Sequence, residues 1–415
     1  MKKKVFSRFV SMMMVAAMVI VLAACSQSES NDGGTNDGGQ GVTASEDGSS
    51  SEAGQSVSSG GGEQSSGNAS AEAFDNYPRP VIKTDGKLKV GYLHTLASFS
   101  STNRSIRQMQ IECHHRGWEY VDGQWESAEQ VRDVWNALIN ADCDVICLQG
   151  LDSTSTYMDM IEKTREAGIG IYSTETAMVD GSIATVMLAG GVASMEMAYE
   201  LGAMTNFSAN VCIPTAEGAQ QHIERTRVFE GLLNGVFGNF VLLASEDMGG
   251  PNESAQNCYD TTLAWVQQYG DDLDIIYASC DSFAQIAADA LNSAGYGDSG
   301  IITAGIDGDS TTFPALMEDG PFKLSYMQPS ELFVHTMCEI VNDIQVLGLN
   351  PGDEGCHISK AGEQIYQTGG IVTVNDIPPS GTPIHALFDY YDPNSTDAWY
   401  TWEAPEGVEV YTIDY

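Results

Sequence analysis

The chain of 415 residues carries 57 acidic and 18 basic side chains, which gives a formal net charge of −39. A field of this sign repels phosphate backbones and anionic lipid, so it argues against nucleic acid as a partner and against membrane attachment through the protein surface. The length also exceeds what one hydrophobic core usually organises, so we expect more than one lobe.

Residues 1–24 have the layout of a secretory signal. Four cations at the start precede an apolar run of about a dozen residues, and two alanines stand before Cys25. The stretch "LAAC" resembles the bacterial lipobox, which implies that Cys25 is lipidated and becomes the first mature residue. An ordinary signal peptide beside a chance Cys is the alternative. Loss of the four cations changes the net charge from −39 to −43.

Residues 25–77 are predicted to be a disordered tether. The stretch from Ser26 to Asn76 is rich in Ser, Gly, Asn, Gln and acidic residues and contains no Lys or Arg. Such a composition cannot bury enough apolar surface to offset the entropy of ordering. A flexible coil of about 50 residues would span roughly 40 Å, which is enough to hold a folded domain clear of a membrane.

From Lys87 onward, short apolar strands alternate with amphipathic segments of helical length, which indicates βαβ units around parallel sheets. The first series is predicted as strand 88–93, helix 103–116, strand 118–121, helix 127–140, strand 144–149, helix 155–167 and strand 170–174. The second is predicted as helix 191–204, strand 209–214, helix 222–233, strand 240–245, helix 254–269, strand 274–279, helix 284–294 and strand 300–306. Two successive series predict an α/β fold of two similar Rossmann-like lobes with parallel sheets.

Six stretches within this pattern resemble a known family. In chain order they are "DVICLQGLDS", "REAGIGIYSTE", "ERTRVFEGL", "DIIYASCDSFAQIAADALNSAG", "AGIDG" and "LSYMQPSEL". Their order and spacing are similar to those of sugar-type ABC-transporter substrate-binding lipoproteins with the type 1 periplasmic-binding-protein fold, closest to the ribose-binding group. The resemblance runs from about Lys87 to Asn375.

The resemblance implies two lobes joined by a three-strand hinge. Lobe 1 is expected over residues 87–183 plus 329–367 and lobe 2 over 184–328 plus 368–380. Residues 381–415 then form an aromatic-rich C-terminal extension, which we expect to pack along the preceding domain, although a docking surface or a ligand cover is also compatible with its composition.

The function implied is that of an extracytoplasmic solute-binding lipoprotein. It would be anchored to the cell membrane by a lipid on Cys25, capture a sugar or related polar small molecule between its lobes, and deliver it to a membrane ABC permease. We expect a monomer without cofactor or metal, and not an enzyme. The alternatives are a ligand-sensing subunit for a membrane kinase or chemoreceptor and, third, an exported enzyme.

Residue by residue, the resemblance places the ligand contacts in the loop after the first strand and at later strand ends. The candidates are Ser98, Phe99, Ser100, Ser101, Gln149, Glu175, Asp307 and Gln328. Hydroxyl, amide and carboxylate groups beside an aromatic ring suit the hydroxyls and the apolar face of a sugar. Asp307 also stands at the predicted carboxyl end of a strand, where open α/β sheets bind ligands. A plain turn residue beside Gly308 is its alternative role.

Some positions depart from the family pattern. Cys280 replaces a contacting Asn, and Glu175 followed by Thr176 replaces an Asp-Arg pair, so the usual cleft Arg is missing. A second Arg of the family aligns with Ile223. The neighbouring Asp281 is expected to cap the helix that follows it. The pocket is therefore predicted to be sugar-like without matching ribose in detail, and its acidic bias would also suit an amino group.

Other chemistries find little support in the sequence. His114 and His115 beside Cys113 have no third ligand at metal-binding spacing. No Walker motif, nucleophile elbow or zinc-protease motif occurs, which argues against an enzyme. Eight cysteines remain after Cys25 and are scattered through a large domain, so we expect most of them to be buried thiols.

Overall fold

The computed structural model describes residue 77 and residues 79–97, 100–151, 155–176, 179–250 and 253–415. The predicted signal peptide, Cys25, nearly all of the predicted tether and the site candidates Ser98 and Phe99 lie outside these described residues. Among the residues described, no helix combines the length and the apolar character needed to cross a membrane.

The described chain alternates strands and helices from Lys89 onward. The strands are β1 Lys89–His94, β2 Glu119–Gln124, β3 Val145–Gln149, β4 Gly170–Thr174, β5 Ala184–Leu188, β6 Ala209–Thr215, β7 Phe240–Asp247, β8 Ile275–Tyr277, β9 Ile302–Asp307, β10 Phe322–Met327, β11 Glu363–Gln367 and β12 Gly370–Thr373. The helices are α1 Ser100–Arg116, α2 Val131–Asn140, α3 Met158–Glu166, α4 Gly190–Met204, α5 Gln220–Gly235, α6 Ser254–Tyr269, α7 Asp281–Ser293, α8 Thr312–Met317 and α9 Ser330–Val341.

The strands form two sheets, and each sheet has six strands in the described part of the chain. The first has the order β11-β5-β4-β3-β1-β2 and is parallel throughout. The second has the order β12-β10-β9-β8-β6-β7, with only β12 antiparallel to its neighbour. The predicted α/β class with two parallel-sheet lobes is therefore confirmed.

Both faces of each sheet are covered, which explains why the central strands are almost continuously apolar. In β3, Val145 and Cys147 face the core beneath α1 and α9, whereas Ile146 and Leu148 face the core beneath α2 and α3. Alternate residues of a strand point to opposite faces, so one run of five buried residues serves two cores.

The chain passes between the sheets three times: after β5, after β10, and between β11 and β12. The predicted boundary between residues 183 and 184 assigned β5 to lobe 2, but β5 pairs with β4 and β11 in the first sheet. The crossing therefore follows Leu188. Sequence alone could not place the crossing, because a five-residue apolar strand can pair in either sheet.

The cysteine expectation is confirmed for the described residues. Seven thiols are free and buried, and Cys356 is free and half-buried. Burial raises the pKa of these thiols, so they behave as apolar core groups.

Candidate functional site

Two carboxylates lie where strands of the two sheets end. Glu175 follows β4 in lobe 1, and Asp307 is the last residue of β9 in lobe 2. Both have positive φ, +50° for Glu175 and +140° for Asp307, a conformation that non-glycine residues rarely adopt and that concentrates at functional sites. Burial raises the pKa of Glu175, and the charge of Asp307 raises it further. One short segment contacts both acids, since Gln328 donates to Asp307 and Ser330, two residues later, donates to Glu175.

Neutral donors surround the Glu175 carboxylate. It accepts hydrogen bonds from Gln149 Nε2 at 2.8 Å, Ser330 Oγ at 3.1 Å and Ser105 Oγ at 3.3 Å. Gln149 ends β3, Ser105 belongs to α1 and Ser330 begins α9, so three elements of lobe 1 converge on this acid. These bonds lower the pKa but do not cancel the effect of burial, which keeps proton uptake by Glu175 easier than in water.

A buried cation supports Asp307. Arg225 of α5 donates from Nη1 to Asp307 Oδ1 at 2.8 Å, and Gln328 Nε2 donates to the same oxygen at 2.5 Å. Burial raises the pKa of Asp307 to about 6, although the Arg225 charge acts in the opposite direction. Asp307 is therefore part of an interacting group and more than an isolated turn residue.

The loop that holds Asp307 rests on a second buried acid. Asp281 Oδ2 accepts hydrogen bonds from the Gly308 amide at 2.8 Å, Thr312 Oγ1 at 2.7 Å and Ser325 Oγ at 2.6 Å. We expected Asp281 to cap α7, but it is the first residue of that helix and its side chain points at the β9–α8 loop instead. The helix-capping expectation was wrong because the partners lie 27 to 44 residues away in sequence.

Arg104 of α1 links lobe 1 to the second crossing. It is fully buried and binds Glu331 through Nε at 2.9 Å and Nη2 at 2.7 Å. Nη2 also donates to the backbone carbonyl of Gln328 at 2.8 Å, next to the side chain that contacts Asp307. Burial opposes the charge of Arg104, but Glu331 outweighs it and raises the pKa above its usual range. Nη1 is buried and has no hydrogen-bond partner among the described residues.

A neutral imidazole completes the lobe 2 side. His222 Nδ1 lies 2.8 Å from Ser279 Oγ, and Ser279 also accepts a bond from Arg225 through its carbonyl. Burial, followed by the charge of Arg225, lowers the pKa of His222 to about 3. At neutral pH this side of the site therefore offers an uncharged donor or acceptor.

Hydrogen bonds join two pairs of the predicted candidates, Gln149 with Glu175 and Gln328 with Asp307, while Ser100 begins α1 and lies 3.2 Å from the Tyr411 hydroxyl. Ser101 is half-buried, one residue further along α1. Sequence reasoning missed the groups that hold these residues, namely Arg104, Ser105, Arg225, Ser330 and Glu331. The sequence held one local indication for Arg104. It lies on the same face of helix α1 as Gln108 and Ile111, four and seven residues later, and all three are buried.

A separate cavity of about 380 Å³ lies at the third crossing. Its lining includes Gln367, Gly369, Leu387 and Phe388, and none of the predicted site residues contributes to it. In the described part of the chain, no three His, Cys, Asp or Glu side chains are arranged to hold a metal ion. The site therefore consists of hydrogen-bonding groups and two buried ion pairs.

Comparison with known proteins identifies the family. The family model described as "Periplasmic binding protein domain" matches residues 99–344, more than half of the chain. The chain belongs to this family. No curated protein sequence matches it with significance.

Solved structures of low sequence identity share the fold of the chain. An ABC sugar transporter subunit from Rhodobacter sphaeroides has a TM-score of 0.58 at 18% identity, covering 69% of this chain and 98% of that one. A solute-binding protein from Agrobacterium vitis with bound allitol has a TM-score of 0.60 at 14% identity, covering 70% and 96%. One from Bacillus halodurans with bound myo-inositol has 0.57 at 18% identity, covering 71% and 97%.

Proposed function

We propose that this protein binds a sugar or a related polyhydroxylated small molecule between its two lobes and delivers it to a membrane ABC permease. One observation carries the proposal: the second crossing contacts both acids, because Gln328 donates to Asp307 of lobe 2 and Ser330, two residues later, donates to Glu175 of lobe 1. Related structures hold allitol, myo-inositol and L-arabinofuranose, which agrees with a ligand rich in hydroxyls.

The ligand would work by contacting both lobes at once. A molecule that bonds to Glu175 and Asp307 in the closed arrangement loses one set of contacts when the lobes separate. This difference in affinity between the two arrangements favours closure, and a permease could recognise the closed form. No chemical step is required, so we propose binding without turnover.

Lipid anchoring at Cys25 belongs to the same proposal and rests on the sequence alone. Cys25→Ala should abolish incorporation of a radioactive fatty acid and release the protein from the membrane fraction or leave it unprocessed. A serine elsewhere in the tether, such as Ser51→Ala, is the matched control. Unchanged lipid labelling of the Cys25 variant would contradict anchoring at this residue.

A melting-shift screen tests the ligand class. The panel should hold pentoses, hexoses, polyols, amino sugars and nucleosides, with amino acids and peptides as the opposing set. A ligand that binds the native state raises the melting temperature by mass action, and the rise increases with the ratio of ligand concentration to Kd. A shift produced only by an amino acid or peptide would refute the sugar class.

A further inference from the structure

The C-terminal residues 381–415, which we call the strap, contact both lobes. From its composition we expected this aromatic segment to pack along the preceding domain, with a docking surface or a ligand cover as the alternatives. The two ends of the strap contact lobe 2, whereas its middle part contacts lobe 1.

Both ends of the strap are built into lobe 2. The two ends pair with each other: Pro383 and Thr412 form an antiparallel bridge, the Gly381 amide donates to the Ile413 carbonyl, and the Ile413 amide donates to the Thr382 carbonyl, at 2.8 Å each. Ile384 and Ile413 are fully buried in the cluster that contains Phe313, Phe322 and Met327 of lobe 2. Separation of the paired ends from lobe 2 would therefore expose Ile384, Ile413 and the core residues that they cover.

The middle of the strap lies on helices of lobe 1. Trp402 stacks on His115 of α1, with ring centroids 3.7 Å apart and planes within 6°. Trp399 stacks on His335 of α9 at 4.6 Å and 10°. The guanidinium carbon of Arg116 also lies 5.4 Å from the centre of the Trp402 ring. These contacts are side-chain stacks between half-buried or exposed groups.

Between these two attachments the strap passes the candidate site. The hydroxyls of Tyr411 and Ser100 are 3.2 Å apart, and Ser100 is one of the predicted ligand contacts. The guanidinium carbons of Arg104 and Arg107 lie 5.8 Å and 5.6 Å from the centre of the Tyr411 ring. Arg107 also donates to the carbonyl of Glu409 at 3.4 Å. Tyr411 is therefore held by lobe 2 through its neighbours and touches lobe 1 through its own side chain.

We propose that the strap fastens lobe 1 to lobe 2 and that Tyr411 forms one wall of the ligand site. A hinge motion moves α1 away from β9, so a segment attached to both must release one attachment. The lobe 1 attachment releases first, because it consists of contacts between exposed or half-buried groups, whereas the lobe 2 attachment buries Ile384 and Ile413 in a core and continues the chain from β12. Ligand entry thus requires Trp402 to leave α1 and Trp399 to leave α9.

Tyr411 gives the site an element that the two lobes alone do not supply. Its phenol can hydrogen-bond to a ligand hydroxyl, and its ring can lie against the apolar face of a sugar or cyclitol. Beside it, the unpartnered Nη1 of the fully buried Arg104 offers a donor. This part of the inference rests on the proposed function, whereas the fastening of the lobes does not.

The fastening is tested without any ligand. We expect Trp399→Ala/Trp402→Ala to increase the radius of gyration measured by small-angle scattering and to speed amide exchange in the Trp399–Thr401 turn. Tyr199→Ala is the matched control, since it removes a half-exposed aromatic that contacts lobe 2 residues Phe207 and Phe237. His115→Ala removes the same Trp402 stack from an exposed position on lobe 1, so it should act in the same direction without disturbing a core. If the double tryptophan variant and His115→Ala both fold and both give scattering curves identical to wild type, the proposal that the strap fastens the two lobes is wrong.

The wall is tested by calorimetry with allitol and myo-inositol as probes. For a probe that binds, we expect Tyr411→Ala to weaken affinity about tenfold or more, and Tyr411→Phe to lose only the part due to the hydroxyl. Tyr415→Ala, at the exposed end of the same segment, should bind as wild type does. Equal affinity of wild type and Tyr411→Ala would overturn the role of Tyr411. Failure of the wild type to bind any polyol or sugar would refute the proposed ligand class and the role of Tyr411 in the ligand site. The scattering experiment would still decide whether the strap fastens the two lobes.

Discussion

Arg225 and Asp307 form a buried ion pair of 2.8 Å between helix α5 and the end of strand β9. Arg225 is only 3% exposed, and its Nε has no hydrogen-bond partner among the described residues. Removal of the acid would leave a positive charge in a site that water barely reaches. The pair therefore ties the stability of lobe 2 to a residue that we propose for ligand binding.

Asp307→Ala should destabilise the protein. The reason is its pairing with Arg225, since a buried charge that loses its partner costs about 3 to 5 kcal/mol. Urea unfolding followed by circular dichroism measures the change, with the fully exposed Asp319→Ala as control.

The double variant Arg225→Met/Asp307→Ala separates this effect from loss of packing. It should be less destabilised than the sum of the two single variants, because neither buried charge remains. Additive losses would show that the pair is not coupled.

Glu175→Gln should preserve the fold and weaken the ligand. An amide is nearly isosteric with the carboxylate and can accept from Gln149 while donating to Ser330. Its neutrality also removes the unfavourable burial that raises the pKa of Glu175. We expect an unchanged or slightly higher melting temperature, and an affinity lower by about 10- to 150-fold, from loss of a charged hydrogen bond worth about 1.5 to 3 kcal/mol.

Calorimetry and a thermal melt on the same Glu175→Gln preparation measure both quantities. Glu166→Gln, on the exposed surface of α3, is the matched control. A large loss of stability would indicate that Glu175 acts mainly as a structural residue.

Ligand affinity should fall as the pH drops from 7 to 5. The pKa of Asp307 is raised to about 6, so its carboxylate form predominates above that pH and its weaker-accepting acid form below it. The groups that act on this equilibrium are Arg225, Asp281 and Asp309. Titration calorimetry at a series of pH values measures the effect, and Asp307→Asn should flatten the profile. A pH-independent wild-type affinity would show that the charge of Asp307 does not contribute.

The raised pKa of Asp307 also affects protein stability, and there the change with pH runs in the direction opposite to that of ligand affinity. Because the native pKa of Asp307 lies above its ordinary value of 3.8, the native state binds the proton more tightly than the unfolded chain does. The contribution of Asp307 to stability is therefore largest below about pH 3.8 and declines as the pH rises through about 6. Comparison of wild type with Asp307→Asn across this window isolates that term.

Gly369→Ala should disrupt the third crossing. A Cβ at Gly369 would lie 1.7 Å from the carbonyl oxygen of Met327, so the second and third crossings would have to move apart. At Gly370 the nearest atom to such a Cβ is 3.9 Å away, which makes Gly370→Ala a matched control. Overpacking of this kind destabilises by about 1 to 3 kcal/mol, and thermal melts of the two variants compare it directly. Equal melting temperatures would contradict the close approach.

Local periodicity explains which elements were predictable. Strand β4 and helix α6 have the predicted bounds, because a short strand rich in β-formers after a Gly and a long amphipathic segment specify their own geometry. The location of β5 was not predictable in the same way, since the sheet in which a strand pairs depends on partners far away in sequence. Helix α9 was not predicted either, although it supplies Ser330 and Glu331 to the site.

The sequence by itself determined the α/β class, the two-lobe organisation and the strand-end acids Glu175 and Asp307, because periodicity and turn residues are properties of neighbours in the chain. Only the tertiary structure decided that Arg225 supports Asp307 across 82 positions and that Tyr411 meets Ser100 across 311. Long arginine and tyrosine side chains can reach many places from one backbone position. Their partners are fixed by how helices pack on the sheets, and sequence spacing carries no information about that packing.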